Sequence, residues 1–239
     1  MKRLAIVTAR GGSKRIPRKN VLPFMGKPIL AWSIEAALES GLFDEVVIST
    51  DDDEIAELAQ RYGAVCPFRR SPQTADDFSG TADVLLEVIG CYRERGIVPE
   101  QACCLYPTAP FITAAKLRQA HDKLKETGAD VILPIARFSF PILRSFRIEG
   151  EQLFYNWPEY AAKRSQDLPA AFQDAGQFYF FRPEVLLRTG KLITDNAVGI
   201  EVSELEVQDI DNLDDWLLAE LKFARFQALA QKGARIGKI

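Results

Sequence analysis

Short apolar runs rich in β-branched residues alternate with helical patterns through residues 1–135, and this alternation constrains the fold more than any other feature. Leu4 to Thr8 reads as a buried strand. Residues 28–39 read as a helix, with Pro28 in the first turn and Gly41 just past the end. Glu45 to Ser49 reads as the next strand, 51–62 as a helix stopped by Gly63, and Val65 to Phe68 as a short strand. Thr81 to Arg95 and Ala114 to Thr127 read as helices, Ala102 to Leu105 and Val131 to Pro134 as strands. Strands alternating with helices of this length predict an α/β fold with a doubly wound, mostly parallel sheet. Ligands bind such sheets beyond the carboxyl ends of the strands. The loops after Thr8, Ser49 and Leu105 are therefore where chemistry is expected.

The alternation stops between Arg137 and Phe172. That stretch holds Phe138, Phe140, Phe146, Phe154, Tyr155, Trp157 and Tyr160, together with three prolines. Two readings fit: a hairpin packed on its own domain, or an arm that buries its aromatics in a second subunit. The pattern resumes with a strand at Gln177 to Phe181, a short helix at Pro183 to Arg188 and a long amphipathic helix at Asn212 to Leu229. The chain reads as one domain, 1–239, with 137–172 inserted.

Composition removes several classes of function. With 30 Lys and Arg against 33 Asp and Glu, the net charge of -3 lacks the basic excess of a general nucleic-acid binder. No apolar run approaches the ~20 residues needed to cross a bilayer. The run at 4–8 is too short for a signal peptide, so a cytoplasmic protein is expected. None of the four cysteines forms a Cys-x-x-Cys pair, and Cys103-Cys104 reads as core packing. His121, the only histidine, reads as a surface residue on its helix, and a multi-histidine metal site is excluded. The chemistry must rest mainly on Arg, Lys, Asp and a metal ion.

The densest signal is the segment from Ala9 to Asn20, directly after the first strand. Gly11 and Gly12 allow close backbone approach to a ligand. Arg10, Lys14, Arg15, Arg18 and Lys19 join consecutive backbone N–H groups, including that of Ser13, in a concentrated anion trap. Neither the P-loop pattern nor the dinucleotide fingerprint is present. A phosphate-rich ligand is implied, with a nucleoside triphosphate the natural choice. Near the other end, Asp209 and Asp211 lie two apart, on one face if the segment is a strand. Two such carboxylates suit Mg²⁺, although both could instead open the following helix.

Ala9-Arg10-Gly11-Gly12-Ser13-Lys14 with Lys19-Asn20 resembles the opening of the CMP-sialic acid synthetase family, the cytidylyltransferases that activate nine-carbon acidic sugars. The likeness continues in order. Ser49-Thr50-Asp51 and the segment from Arg70 to Thr81 are similar to family segments, with Thr74 in place of Leu. Leu105-Tyr106-Pro107-Thr108-Ala109-Pro110-Phe111 resembles a third, with Tyr106 in place of Gln, and Gln208-Asp209-Ile210-Asp211 a fourth. Arg164-Ser165-Gln166-Asp167-Leu168-Pro169 and Asp174-Ala175-Gly176-Gln177 resemble the members acting on pseudaminic acid. Sialic acid enzymes tend to have an Arg-Pro-Asn-Gly type segment in the second of these places.

The resemblance implies the Rossmann-like nucleotide-diphospho-sugar transferase fold and a homodimer exchanging the 137–172 arm. It implies transfer of CMP from CTP to the anomeric hydroxyl of pseudaminic acid, with Mg²⁺ as cofactor and pyrophosphate as second product. Arg10, Lys14 and Asp211 are the expected catalytic residues, and Asp209 and Asp211 the metal ligands. Arg10, Gly12, Ser13, Lys14, Lys19, Asn20, Arg70, Ser79 and Thr81 are the expected CTP contacts. Tyr106, Arg164, Gln166, Asp174 and Gln177 are the expected sugar contacts. Sialic acid, legionaminic acid and Kdo stay open as alternative acceptors. So do another nucleotide and a non-catalytic CTP-sensing domain.

Overall fold

The computed structural model describes residues 1–236, with side chains through residue 229. The chain begins with β1 (Arg3–Thr8), followed by a small hairpin of β2 (Pro23–Phe24) and β3 (Lys27–Pro28). Then come α1 (Ile29–Ser40), β4 (Glu45–Ser49), α2 (Asp53–Arg61), α3 (Thr81–Glu94), β5 (Gln101–Leu105), α4 (Ala114–Thr127) and β6 (Val131–Arg137). The inserted region holds short 3-10 turns and an antiparallel hairpin of β7 (Phe146–Glu149) and β8 (Gln152–Tyr155). The chain returns through β9 (Phe172–Asp174), β10 (Phe178–Phe181), α5 (Pro183–Thr189) and β11 (Ala197–Glu201), and ends in α6 (Leu213–Ile236).

The main sheet has the order β11-β6-β10-β5-β1-β4, with β9 also on β6. β1 is parallel to β4 and β5, and β11 to β6, while β10 runs antiparallel between β5 and β6. Period-2 alternation along β1 explains the layers. Ala5 and Val7 join one core with residues of α1, α2 and α4, while Leu4 and Ile6 join another with residues of α3 and α5. A third cluster packs Trp216 and Phe223 of α6 over Phe24, Ile16 and Ile210. Ile16 belongs to the basic loop and Ile210 lies between the two aspartates, so this cluster joins both ends of the chain beside the sheet's carboxyl edge.

Two expectations change. Residues 65–68 make only an isolated bridge, Val65 to Val47, because Pro67 has no N–H to continue a ladder. His121 is buried, 4% exposed, against the Phe180 ring with Nε2 3.3 Å from Arg3 Nη1. The edge strand β11 lay outside the expected elements although Ala197, Val198 and Ile200 are apolar, and only Ile200 in it is buried.

Candidate active site

The loop after β1 is seated on the end of β4. The Gly11 amide donates to Asp51 Oδ1 at 2.9 Å, and Asn20 Nδ2 donates to the Arg10 carbonyl at 2.8 Å. Gly11 is sterically required: a Cβ there would lie 2.8 Å from Asp52 Oδ2, whereas one on Gly12 would meet nothing within 4 Å. Close approach thus explains Gly11, and Gly12 leaves open space.

The five cations do not act as one group. Arg10 Nη1 lies 2.9 Å from Asp77 Oδ1 and donates to the Asp76 carbonyl at 2.6 Å, and Lys14 pairs with the other oxygen of Asp77. Lys14, with Arg10 adding, holds the Asp77 carboxyl below the usual carboxylate range. Arg15 Nη1 reaches Asp211 Oδ2 at 2.5 Å, and Lys19 Nζ donates to the Ile210 carbonyl at 2.6 Å. Burial pushes the Lys19 ammonium down, against the opposing pull of Asp211 and Asp209. Arg18 departs from the group. In a left-handed conformation (φ 58°), it pairs with Asp52 and Glu54 at the start of α2.

Three cavities follow the carboxyl edge. The first, about 220 Å³, is lined by Thr8, Arg10, Arg70, Asp77, Ser79 and Thr81. Arg70 is 7% exposed and gives Ser49 two hydrogen bonds, Nε to Oγ at 3.1 Å and Nη2 to the carbonyl at 2.7 Å. Burial lowers its pKa, with Asp51 opposing. Ser79 Oγ donates to the Gln73 carbonyl at 2.7 Å, and Thr81 opens α3. The second cavity, about 380 Å³, shares Thr8, Arg10 and Asp77 with the first and adds Ser13, Lys14, Arg15, Lys19, Asn20 and Thr108.

The third cavity, about 360 Å³, shares Thr108 with the second and includes Tyr106, Asp174, Glu204, Asp209 and Lys222. A bulge shapes it. Residues 175–179 of the β9–β10 stretch face only Leu133 and Pro134 of β6. Pro134 has no N–H to pair there, and its carbonyl accepts from Ala175 at 3.0 Å. Asp174 is fixed by the Tyr179 hydroxyl at 2.5 Å and by the Gly176 amide at 2.8 Å. The Tyr106 hydroxyl lies 2.9 Å from Thr81 Oγ1 and its ring packs edge-on against Tyr179, linking the first cavity to the third. Gln177 is 2% exposed; its Nε2 donates to the Glu206 carbonyl at 2.5 Å, while its Oε1 has no partner among the described residues.

Arg164 and Gln166 stand apart from this group within one chain. Arg164 pairs with Asp167 on the exposed insert, and Gln166 lines a separate groove there with Phe138 and Phe140. Asp209 and Asp211 lie in irregular chain and not on a strand, with Ile210 buried between them. They do not cap α6. Asn212 and Asp215 do so reciprocally: Asn212 Oδ1 accepts from the Asp215 amide at 2.9 Å, and Asp215 Oδ2 from the Asn212 amide at 3.0 Å. Helix opening therefore does not account for the earlier pair.

Sequence reasoning passed over Asp76 and Asp77, which gather Arg10 and Lys14. Two acidic residues inside the Arg70 to Thr81 segment, opposite so many cations, were the available signal. It also passed over Lys222, which no motif marks.

A family model described as cytidylyltransferase matches residues 4–201. The chain belongs to the cytidylyltransferase family. Among relatives of this cytidylyltransferase, the pseudaminic acid cytidylyltransferase of Campylobacter jejuni subsp. jejuni serotype O:2 is 38% identical over 224 residues, covering 93% of this chain and 97% of that one. A Helicobacter pylori protein, named pseudaminic acid cytidylyltransferase and UDP-2,4-diacetamido-2,4,6-trideoxy-beta-L-altropyranose hydrolase, is 35% identical across 95% of this chain and 44% of its own. The solved structure of CMP:2-keto-3-deoxy-manno-octonic acid synthetase complexed with CTP superposes with a TM-score of 0.68 at 19% identity, covering 95% of this chain and 100% of that one. That likeness confirms the α/β nucleotidyltransferase fold.

Proposed function

We propose that this cytidylyltransferase transfers CMP from CTP to the anomeric hydroxyl of pseudaminic acid, giving CMP-pseudaminic acid and pyrophosphate. The observation that carries the reading is that Thr108 lines both the cation-lined cavity and the third cavity, of about 360 Å³, which suits a nine-carbon sugar. The choice of acid rests on the relatives from Campylobacter and Helicobacter.

Arg70, Ser79 and Thr81 face the cytidine, with Asn20 bracing the loop beside it. Gly12, Ser13 and Lys19 border the phosphates. Arg10 and Lys14 bind the triphosphate and stabilise the departing pyrophosphate, so CTP displaces Asp77 from both. Tyr106 and Asp174 hold the sugar, and Gln177, buried off the cavity lining, braces the Glu206 carbonyl beside it. Arg164 and Gln166 contact it from a second subunit if the insert is exchanged. The anomeric oxygen forms its bond to the α-phosphorus and gives up its proton to water, as the bond from that phosphorus to the bridging oxygen breaks and pyrophosphate leaves with its electron pair.

Asp209 and Asp211 suit Mg²⁺. Among the described residues no three His, Cys, Asp or Glu side chains cluster as a metal cage, and a pair fits a hard cation that completes its shell with phosphate and water. When bound, Mg²⁺ neutralises phosphate charge and lowers the pKa of the attacking hydroxyl. We read the chain as one domain, 1–239, acting as a cytoplasmic homodimer through 137–172. No helix among the described residues is long and apolar enough to cross a membrane.

Pyrophosphate release with CTP and Mg²⁺ tests the reading across pseudaminic, legionaminic and N-acetylneuraminic acids and Kdo. The highest kcat/KM is expected with pseudaminic acid. A preference for another acid overturns the choice of sugar, and CTP binding without release for any acid identifies a sensing domain.

A further inference from the structure

The third cavity sets a charge problem. Its lining carries three carboxylates, those of Asp174, Glu204 and Asp209, and a single cation, Lys222. An acidic sugar entering it adds another negative charge. Desolvating that charge among like charges is unfavourable unless a cation faces it.

Lys222 is placed to be that cation. It stands on α6, and its Nζ donates to the Val207 carbonyl at 2.7 Å and the Glu204 carbonyl at 3.4 Å. Neutral main-chain acceptors fix the ammonium without cancelling its charge. An ammonium has three N–H donors, and these contacts use two. The same contacts tie Lys222 to the segment that runs on to Asp209.

We propose that Lys222 binds the carboxylate of the acidic sugar and thereby positions the attacking hydroxyl. The proposal rests on reading the third cavity as the sugar site. In a cyclised 2-keto acid the carboxylate is attached to the anomeric carbon, which also bears the hydroxyl. A cation holding the carboxylate therefore restricts that hydroxyl to the neighbourhood of Asp209. Lys222 transfers no proton in this scheme. It supplies charge and orientation.

The test compares a nine-carbon acid with its C1 amide, using the wild-type protein, Lys222→Met and Lys222→Arg. The wild type should prefer the acid. Lys222→Met should lower kcat/KM for the acid by about 10- to 100-fold, the loss of one charge-assisted contact, with KM for CTP unchanged. Its acid-to-amide ratio should collapse towards one, and Lys222→Arg should restore part of it. If Lys222 only braces residues 204–207, acid and amide fall together and the ratio stays at its wild-type value. That result overturns the proposal and leaves the cavity assignment standing. A wild-type protein that turns over no nine-carbon acid overturns the cavity assignment itself, and the proposal with it.

Discussion

The Gly11 amide donates to the Asp51 carboxylate at 2.9 Å, and this bond ties the basic loop to the end of β4. Asp52, the next residue, caps α2 through the Ile55 amide at 3.0 Å and is also gripped by Arg18. Arg18 holds the Asp52 carboxyl below the usual carboxylate range, against the effect of its burial. Gly11 therefore packs beside a carboxylate, that of Asp52, that has little freedom to move.

Gly11→Ala should therefore be harmful. Its Cβ would press on Asp52 Oδ2 at 2.8 Å and Asp52 Cβ at 3.0 Å, and overpacking of that kind costs about 1–3 kcal/mol. Gly12→Ala should fold with an unchanged melting temperature, since its Cβ meets nothing within 4 Å. Thermal unfolding of the two variants side by side checks the contrast. Equal melting temperatures would contradict it.

Arg10→Ala and Lys14→Ala should each weaken CTP binding by about tenfold or more, because each removes a charge-assisted contact to phosphate. Arg18→Ala should affect stability more than CTP affinity, since its guanidinium is committed to Asp52 and Glu54. Calorimetric titration with CTP and Mg²⁺ separates them. Unchanged affinity in both of the first two variants would move the triphosphate elsewhere.

Stability should depend on His121. Burial, with Lys125 and Arg3 adding, lowers its pKa below the ordinary 6.5, so the folded protein favours the neutral ring. The unfolded chain then binds the extra proton first. The contribution is full above about pH 6.5 and is lost as pH falls through the folded-state pKa. Melting temperatures from pH 8 to pH 5 should fall more steeply for the wild type than for His121→Gln. Parallel curves would contradict the assignment.

Local patterns made much of this molecule legible. The runs at 45–49 and 114–127 coincide with β4 and α4, because β-branched residues and flanking glycines or caps agree with the final packing. That the cations after Leu4 to Thr8 would line a cavity was legible from charge density and position alone. Pairings between distant segments were not. Nothing local says that Asp77 gathers Arg10 and Lys14, or that His121 turns inward onto Phe180. The bulge beside Pro134 follows from how β9 and β10 share β6, and no turn residue except Gly176 announces it. Asp209 and Asp211 were legible as a pair, but their freedom from capping duty depends on Asn212 and Asp215.

The insert exposes apolar side chains that a lone chain leaves in water: Phe140 is 84% exposed, Ile148 72% and Leu153 64%. If 137–172 forms the contact between copies, light scattering at micromolar concentration should give twice the chain mass. Ile148→Asp with Leu153→Asp should halve it by placing charge in the interface. A monomeric wild type would contradict this role.

Turnover of Asp211→Asn, measured together with its melting temperature, tests the central claim most directly. The substitution keeps size and most hydrogen bonding and removes one negative charge. If Asp209 and Asp211 hold Mg²⁺ at the α-phosphate, pyrophosphate release should fall by orders of magnitude, at about tenfold per 1.4 kcal/mol of lost transition-state stabilisation. The melting temperature should stay near the wild-type value, because Asn212 and Asp215 supply the cap of α6. A variant with near-normal turnover and a lowered melting temperature would contradict the metal assignment and leave the pair a structural role only.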